Sequence, residues 1–110
     1  MKNKLLNDLK EKTSYKIIDG GAGLIPFYDY SEHVYQIFDL VIGDVIIKNY
    51  SDVYKKIKDK DISKLKLKEI IAYFTFIRRG ERFCDGHISN FLDNGIFLKL
   101  YERYLEITSK

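Results

Sequence analysis

The densest chemistry in this chain lies in one short run, Arg79-Gly80-Glu81-Arg82-Phe83-Cys84-Asp85-Gly86-His87, which gathers two arginines, two carboxylates, a thiol and an imidazole. A guanidinium is a planar fork of donors that grips a carboxylate or phosphate bidentately, so Arg79 and Arg82 are suited to an anionic group. Glu81, Asp85 and His87 are residue types that move protons or orient such a ligand. Free N–H groups at the start of a helix after Asp85 would add to an anion site. The same residues also have architectural uses. Gly80 and Gly86 serve the backbone, Asp85 caps a helix, Phe83 and Cys84 fill a core, and Glu81 pairs with an arginine. On the functional reading the candidate ligand-binding residues are Arg79, Glu81, Arg82, Asp85 and His87; only His87 lacks a ready structural job.

Other chemistries fare worse. Structural zinc takes four Cys or His ligands, whereas Cys84, His33 and His87 are all this chain offers. Asp59, Asp61 and Ser63 imitate the start of a calcium loop, but Lys64 stands where the loop needs glycine and Ile70 where it needs a bidentate Glu. No metal and no cofactor is therefore expected. Cys84 and His87 are three residues apart, whereas a nucleophile and its base usually come from distant segments. Gly20, Gly21 and Gly23 are not followed by Lys-Ser or Lys-Thr, so they read as turn glycines rather than a phosphate loop. Lys55, Lys56, Lys58, Lys64, Lys66 and Lys68 could lie along phosphates, which makes nucleic-acid binding an alternative. Asp59 and Asp61 interrupt that stretch and it contains no arginine, so a solvated helix face is the commoner explanation.

The elements that must position these residues are mostly helices. Leu5, Leu6 and Leu9 mark a short amphipathic helix within 2–12. Tyr15 to Ile18 is β-prone, and the glycines, Leu24, Ile25 and Pro26 make a turn-rich connection that suggests a hairpin near residues 15–27. Ser31 is placed to cap a helix through Val34, Ile37, Phe38, Val41, Ile42 and Val45 that stops near Gly43 or a turn later. Ser51 or Asp52 can cap a lysine-rich helix through Val53, Tyr54 and Ile57, followed by a polar loop over 58–63. Leu67, Ile70, Ile71, Phe74 and Ile77, widened by Tyr73 and Phe76, mark the strongest helix and the expected centre of the fold. Gly80 ends it in a left-handed conformation on this reading. A helix through Ile88, Phe91 and Leu92 stops at Asn94-Gly95, and Phe97, Leu100, Tyr101, Tyr104 and Leu105 supply a last one. The predicted architecture is mainly all-α: an irregular compact bundle of about five or six helices with one small β-hairpin, forming a single domain over 1–110.

The chain has 110 residues, 45% of them hydrophobic, enough to fill one core. Charges interrupt every apolar segment, so neither a targeting segment nor a membrane span is expected. One cysteine forms no intramolecular disulfide, which fits a reducing cytoplasm. The net charge of +3 hides an asymmetry. Residues 17–47 carry five acidic residues and no Lys or Arg, whereas 48–68 carry eight lysines against three aspartates. Such polarity can steer partners or favour a homo-oligomer assembled head to tail, although an AT-rich genome writes a similar composition. Nine tyrosines are more than such a domain can bury with satisfied hydroxyls, so some are expected at a groove or interface.

The run from Arg79 to His87, preceded by an aromatic-rich helix and followed by Asn94-Gly95 and a last helix, resembles an uncharacterised bacterial family classed as a domain of unknown function. That family's hallmark is this R-G-E-R-F-C-D-G-H stretch. The likeness extends upstream through Pro26, Tyr28, Tyr30 and Ser31. It implies a compact helical domain and points at a motif, without supplying an activity. The expected function is that of a non-enzymatic binding module, recognising a protein partner or a small anionic ligand through the Arg79–His87 region. A small hydrolase or transferase using the same cluster is the first rival. A nucleic-acid binder using the lysine stretch is the second.

Overall fold

A computed structural model describes residues 12–18, 27–84 and 86–108. The helix expected within 2–12, the glycine-rich connection with Pro26, and Asp85 lie outside the described residues. Strands β1 (Tyr15–Ile18) and β2 (Phe27–Tyr30) are followed by helices α1 (Glu32–Ile42) and α2 (Tyr50–Ile57) and a 3-10 turn (Ile62–Lys64). Helices α3 (Leu67–Gly80), α4 (His87–Asp93) and α5 (Ile96–Thr108) complete the chain. The mainly helical bundle with one small hairpin is thus observed, its second strand reaching three residues beyond the expected end.

The hairpin is antiparallel, with Tyr15 opposite Tyr30 and Lys16 opposite Asp29. It leads directly into α1 at Ser31. That residue occupies the capping position, yet its hydroxyl makes no cap bond. It donates instead to the Lys12 carbonyl at 2.6 Å and accepts from the Ser14 amide at 3.1 Å, tying the helix start to the chain before β1. Val34, Ile37, Phe38 and Val41 form the buried stripe of α1. Gly43, at φ 52, stops the helix, a conformation that costs glycine little. Of the stops expected, near Gly43 or a turn later, the first is observed, and Val45 beyond it is 48% exposed.

Helix α3 is the axis of the molecule. Residues 70–75 and Ile77 are all buried, so nearly its whole circumference faces protein. It packs against α1, α2, α4 and α5. Its start is held by the Glu69 carboxylate, which accepts the Lys66 amide at 2.9 Å. Phe38, Phe74 and Phe97, all fully buried, meet edge to face with centroids 5.2–5.8 Å apart. Each such pair contributes about 0.5–1.5 kcal/mol beyond area burial. A second aromatic layer stacks Tyr54 on Phe76 at 3.6 Å, with Tyr73 edge-on to Tyr54 at 5.2 Å. Burial pushes the Tyr73 phenol up to about 12. No helix among the described residues is long and apolar enough to cross a membrane.

Candidate functional site

The segment between α3 and α4 divides its side chains between two environments. Glu81 turns into the structure. Its Oε1 accepts the Tyr30 hydroxyl at 2.9 Å and the Ile88 amide at 2.8 Å, and its Oε2 accepts the Gly86 amide at 2.9 Å. The Tyr30 oxygen also accepts the Ser89 amide at 3.2 Å, and the His87 amide bonds to the Cys84 carbonyl at 3.1 Å. The amides that open α4 are therefore occupied from within. The free N–H groups expected there for an anion are absent, because a carboxylate of the chain itself occupies that position. Glu81 in this arrangement is an acceptor for backbone and phenol rather than the partner of an arginine. Burial and then the Glu81 hydrogen bond raise the Tyr30 phenol well above its ordinary value.

His87 turns inward too. Its ring lies 5.2 Å from both Phe76 and Phe91, and its Nδ1 is 3.0 Å from the Ile77 carbonyl. A carbonyl can only accept, so Nδ1 carries the proton. The imidazole rests on Gly80, where a Cβ would fall 2.2 Å from ring atoms. Gly80 is the last residue of α3 and does not adopt the left-handed conformation expected of it. Its missing side chain is what the histidine needs. Gly86 does take positive φ, at 87°, and a Cβ there would meet the Tyr28 ring at 2.8 Å. Phe83 and Cys84, expected in the core, are exposed, Phe83 to 89%. The turn after α3 carries them to the surface, while His87 packs on Gly80 and Tyr28 on Gly86.

The arginines form the other environment. Thr75, Arg78, Arg79 and Arg82 line a pocket of about 280 Å³ together with Ile42, Val45, Ile46 and Ile47. Positions 75, 78, 79 and 82 follow the i, i+3, i+4, i+7 spacing of one helical face, since the turn after α3 continues its path. The opposite wall comes from the end of α1 and the segment after Gly43. Arg78 donates to Asp39 Oδ1 at 3.2 Å and lies over the Phe38 ring at 5.7 Å. Arg79 lies over the Tyr50 ring at 5.4 Å. Among the described residues Arg82 has no ion-pair partner. Thr75 is buried and donates to the Ile71 carbonyl at 2.7 Å. Ile47 is buried, whereas Val45 and Ile46 are exposed at the rim.

Of the five residues singled out from sequence, the fold brings Arg79 and Arg82 to one pocket and places Glu81 and His87 in the packing between α3 and α4. Arg78, Thr75 and the aliphatic wall were missed. The helical stripe from 75 to 82 was a readable signal for Arg78; the wall was not, because it comes from a segment thirty residues away. Among the described residues, no three metal-ligating side chains converge. The six lysines of the nucleic-acid alternative are exposed and divide among α2, the turn after it, the 3-10 turn and the start of α3. Among them stand Asp61, which accepts the Ser63 amide and hydroxyl, and the Lys60–Glu69 pair at 3.8 Å.

Architecture and motif together describe a small helical domain with a hairpin, whose central corner is organised around one carboxylate. The chain belongs to the family of unknown function DUF6508, whose family model matches residues 5–110. No curated protein and no solved structure matches it.

Proposed function

We propose that this domain is a non-enzymatic binding module that takes an anionic group into the pocket lined by Arg78, Arg79 and Arg82. The observation that carries this reading is the convergence of three arginines on one pocket with, among the described residues, a single ion-pair partner, Asp39, bound to Arg78. Guanidiniums on an apolar wall bind carboxylates and phosphates more strongly than they would in open water, because the wall lowers the local dielectric. The arginines also complement the carbonyl end of α3, so part of their presence is architectural. The acid and base needed by the hydrolase or transferase alternative, Glu81 and His87, are committed to internal hydrogen bonds. A bacterial, cytoplasmic setting belongs to the same proposal: the single free cysteine supports a reducing compartment, and the resemblance of the Arg79–His87 run supports a bacterial source.

The test is an NMR titration of labelled protein with citrate and with inorganic phosphate. Saturable shifts at the amides of Arg79, Arg82 and Ile46, lost in the Arg79→Gln/Arg82→Gln variant, are the expected result. Shifts spread over the lysines of α2, surviving in that variant, would transfer the function to the lysine surface.

A further inference from the structure

Resting on the reading of the pocket as an anion site, we infer that its occupant is a segment of a partner protein in which an acidic residue stands beside a bulky aliphatic or aromatic one. The pocket has two unlike halves. Arg78, Arg79 and Arg82 present donors, while the side chains of Ile42, Val45, Ile46 and Ile47 are hydrocarbon. A free phosphate would use the first half and leave the second wet. The volume, about 280 Å³, lies at or below the lower end of the range for sites that enclose a small molecule, and fits a side chain with its neighbouring carboxylate. The apolar surface also continues outward: Ile46 is 76% and Val45 48% exposed. Clustered exposure of this kind marks an interaction surface.

Charge complementarity fixes the partner's sign. Among the described residues the three arginines of the pocket have one ion-pair partner, Asp39, which pairs with Arg78, so an acidic segment enters a field that is positive on balance. The arginine donors are side chains at the carbonyl end of α3, not the amides of a helix start that usually cradle a phosphate. That favours a carboxylate, which two guanidinium forks match well. The recess favours an inserted side chain over a flat anionic membrane, which has no side chain to seat in it.

The experiment is selection of random short peptides displayed on phage against the full chain, counter-selected on the Arg79→Gln/Arg82→Gln variant, with recovered peptides synthesised and measured by fluorescence anisotropy. Recovered sequences are expected to place Glu or Asp beside Leu, Ile, Phe or Tyr. The best of them is expected to bind at least about tenfold more weakly to the double variant, and several-fold more weakly to Ile46→Ser. The Ile46→Ser arm keeps the inference falsifiable if the double variant fails to fold. Enrichment of acidic residues without an apolar neighbour, or unchanged affinity in Ile46→Ser, overturns the inference and leaves the anion site standing. So does co-sedimentation with anionic phospholipid vesicles when no peptide is enriched. Failure of peptides, vesicles, citrate and phosphate alike removes the anion site itself.

Discussion

The inward and outward sides of the corner between α3 and α4 come from the same few residues and behave oppositely. Inward, Glu81 receives three hydrogen bonds, His87 is held by Ile77 and two phenyl rings, and Gly80 and Gly86 give up their side chains so that His87 and Tyr28 can approach. Outward, Arg79 touches one ring and Arg82 has no ion-pair partner among the described residues. A dense cluster of polar types in sequence therefore need not be one site. Here one half joins the hairpin, α3 and α4, and the other half lines the pocket beside the end of α1.

The contrast is broken most severely at Glu81. Replacing it with alanine strands the Gly86 and Ile88 amides and the Tyr30 hydroxyl, and each charge-assisted bond contributes about 1.5–3 kcal/mol. A loss of at least about 3 kcal/mol in urea unfolding is expected; a loss below about 1 kcal/mol would show that water replaces the carboxylate freely.

Next comes Gly80→Ala, where the sign itself is the test. In an open helix the change stabilises by about 0.5–1 kcal/mol. Here the new methyl collides with the His87 ring, so a loss of about 1–3 kcal/mol is expected. In a His87→Ala background the same substitution should become stabilising, and a thermal-melt cycle of the four proteins reads this directly.

Alkaline pH gives a smaller and more gradual effect. The raised phenols of Tyr73 and Tyr30 mean that the folded state keeps protons that the unfolded chain releases above the ordinary value of 10.0. Their contribution to stability is complete below that value and is lost as pH rises, for Tyr73 through about 12. Urea midpoints measured from pH 8 upward should fall above about pH 10, and less steeply in Tyr73→Phe. The smallest effect belongs to the outward side: Arg82→Gln should change stability by less than about 0.5 kcal/mol, as exposed charges do, while lowering affinity for the acidic peptide. A stability loss as large as that of Glu81→Ala would erase the distinction between the two sides.

Much of the fold was legible because it follows from local chemistry. The periodic apolar residues of α1, α3 and α5, the stop at Gly43 and the break at Asn94-Gly95 are properties of short windows, and helices report their buried stripe every third or fourth residue. The exposure of Phe83 and Cys84 was not legible. Apolar residues in a turn are assigned to a core by default, and only the three-dimensional path of the turn after α3 leaves these two exposed. Ser31 likewise sits where a cap belongs, but the hydrogen bonds of its hydroxyl go to Lys12 and Ser14, partners brought near by the hairpin.

By itself the sequence determined the helical class, the order of the elements, and the concentration of polar chemistry between α3 and α4, because periodicity, turn residues and residue types are local. The tertiary structure decided which of those polar groups serve the fold and which face outward. Glu81 reaches Tyr30 across fifty-one positions, and the arginines meet Ile42, Val45, Ile46 and Ile47 only because α1 and α3 pack side by side. Contacts between distant segments depend on how whole elements pack, and no window of sequence short enough to read by pattern contains both partners.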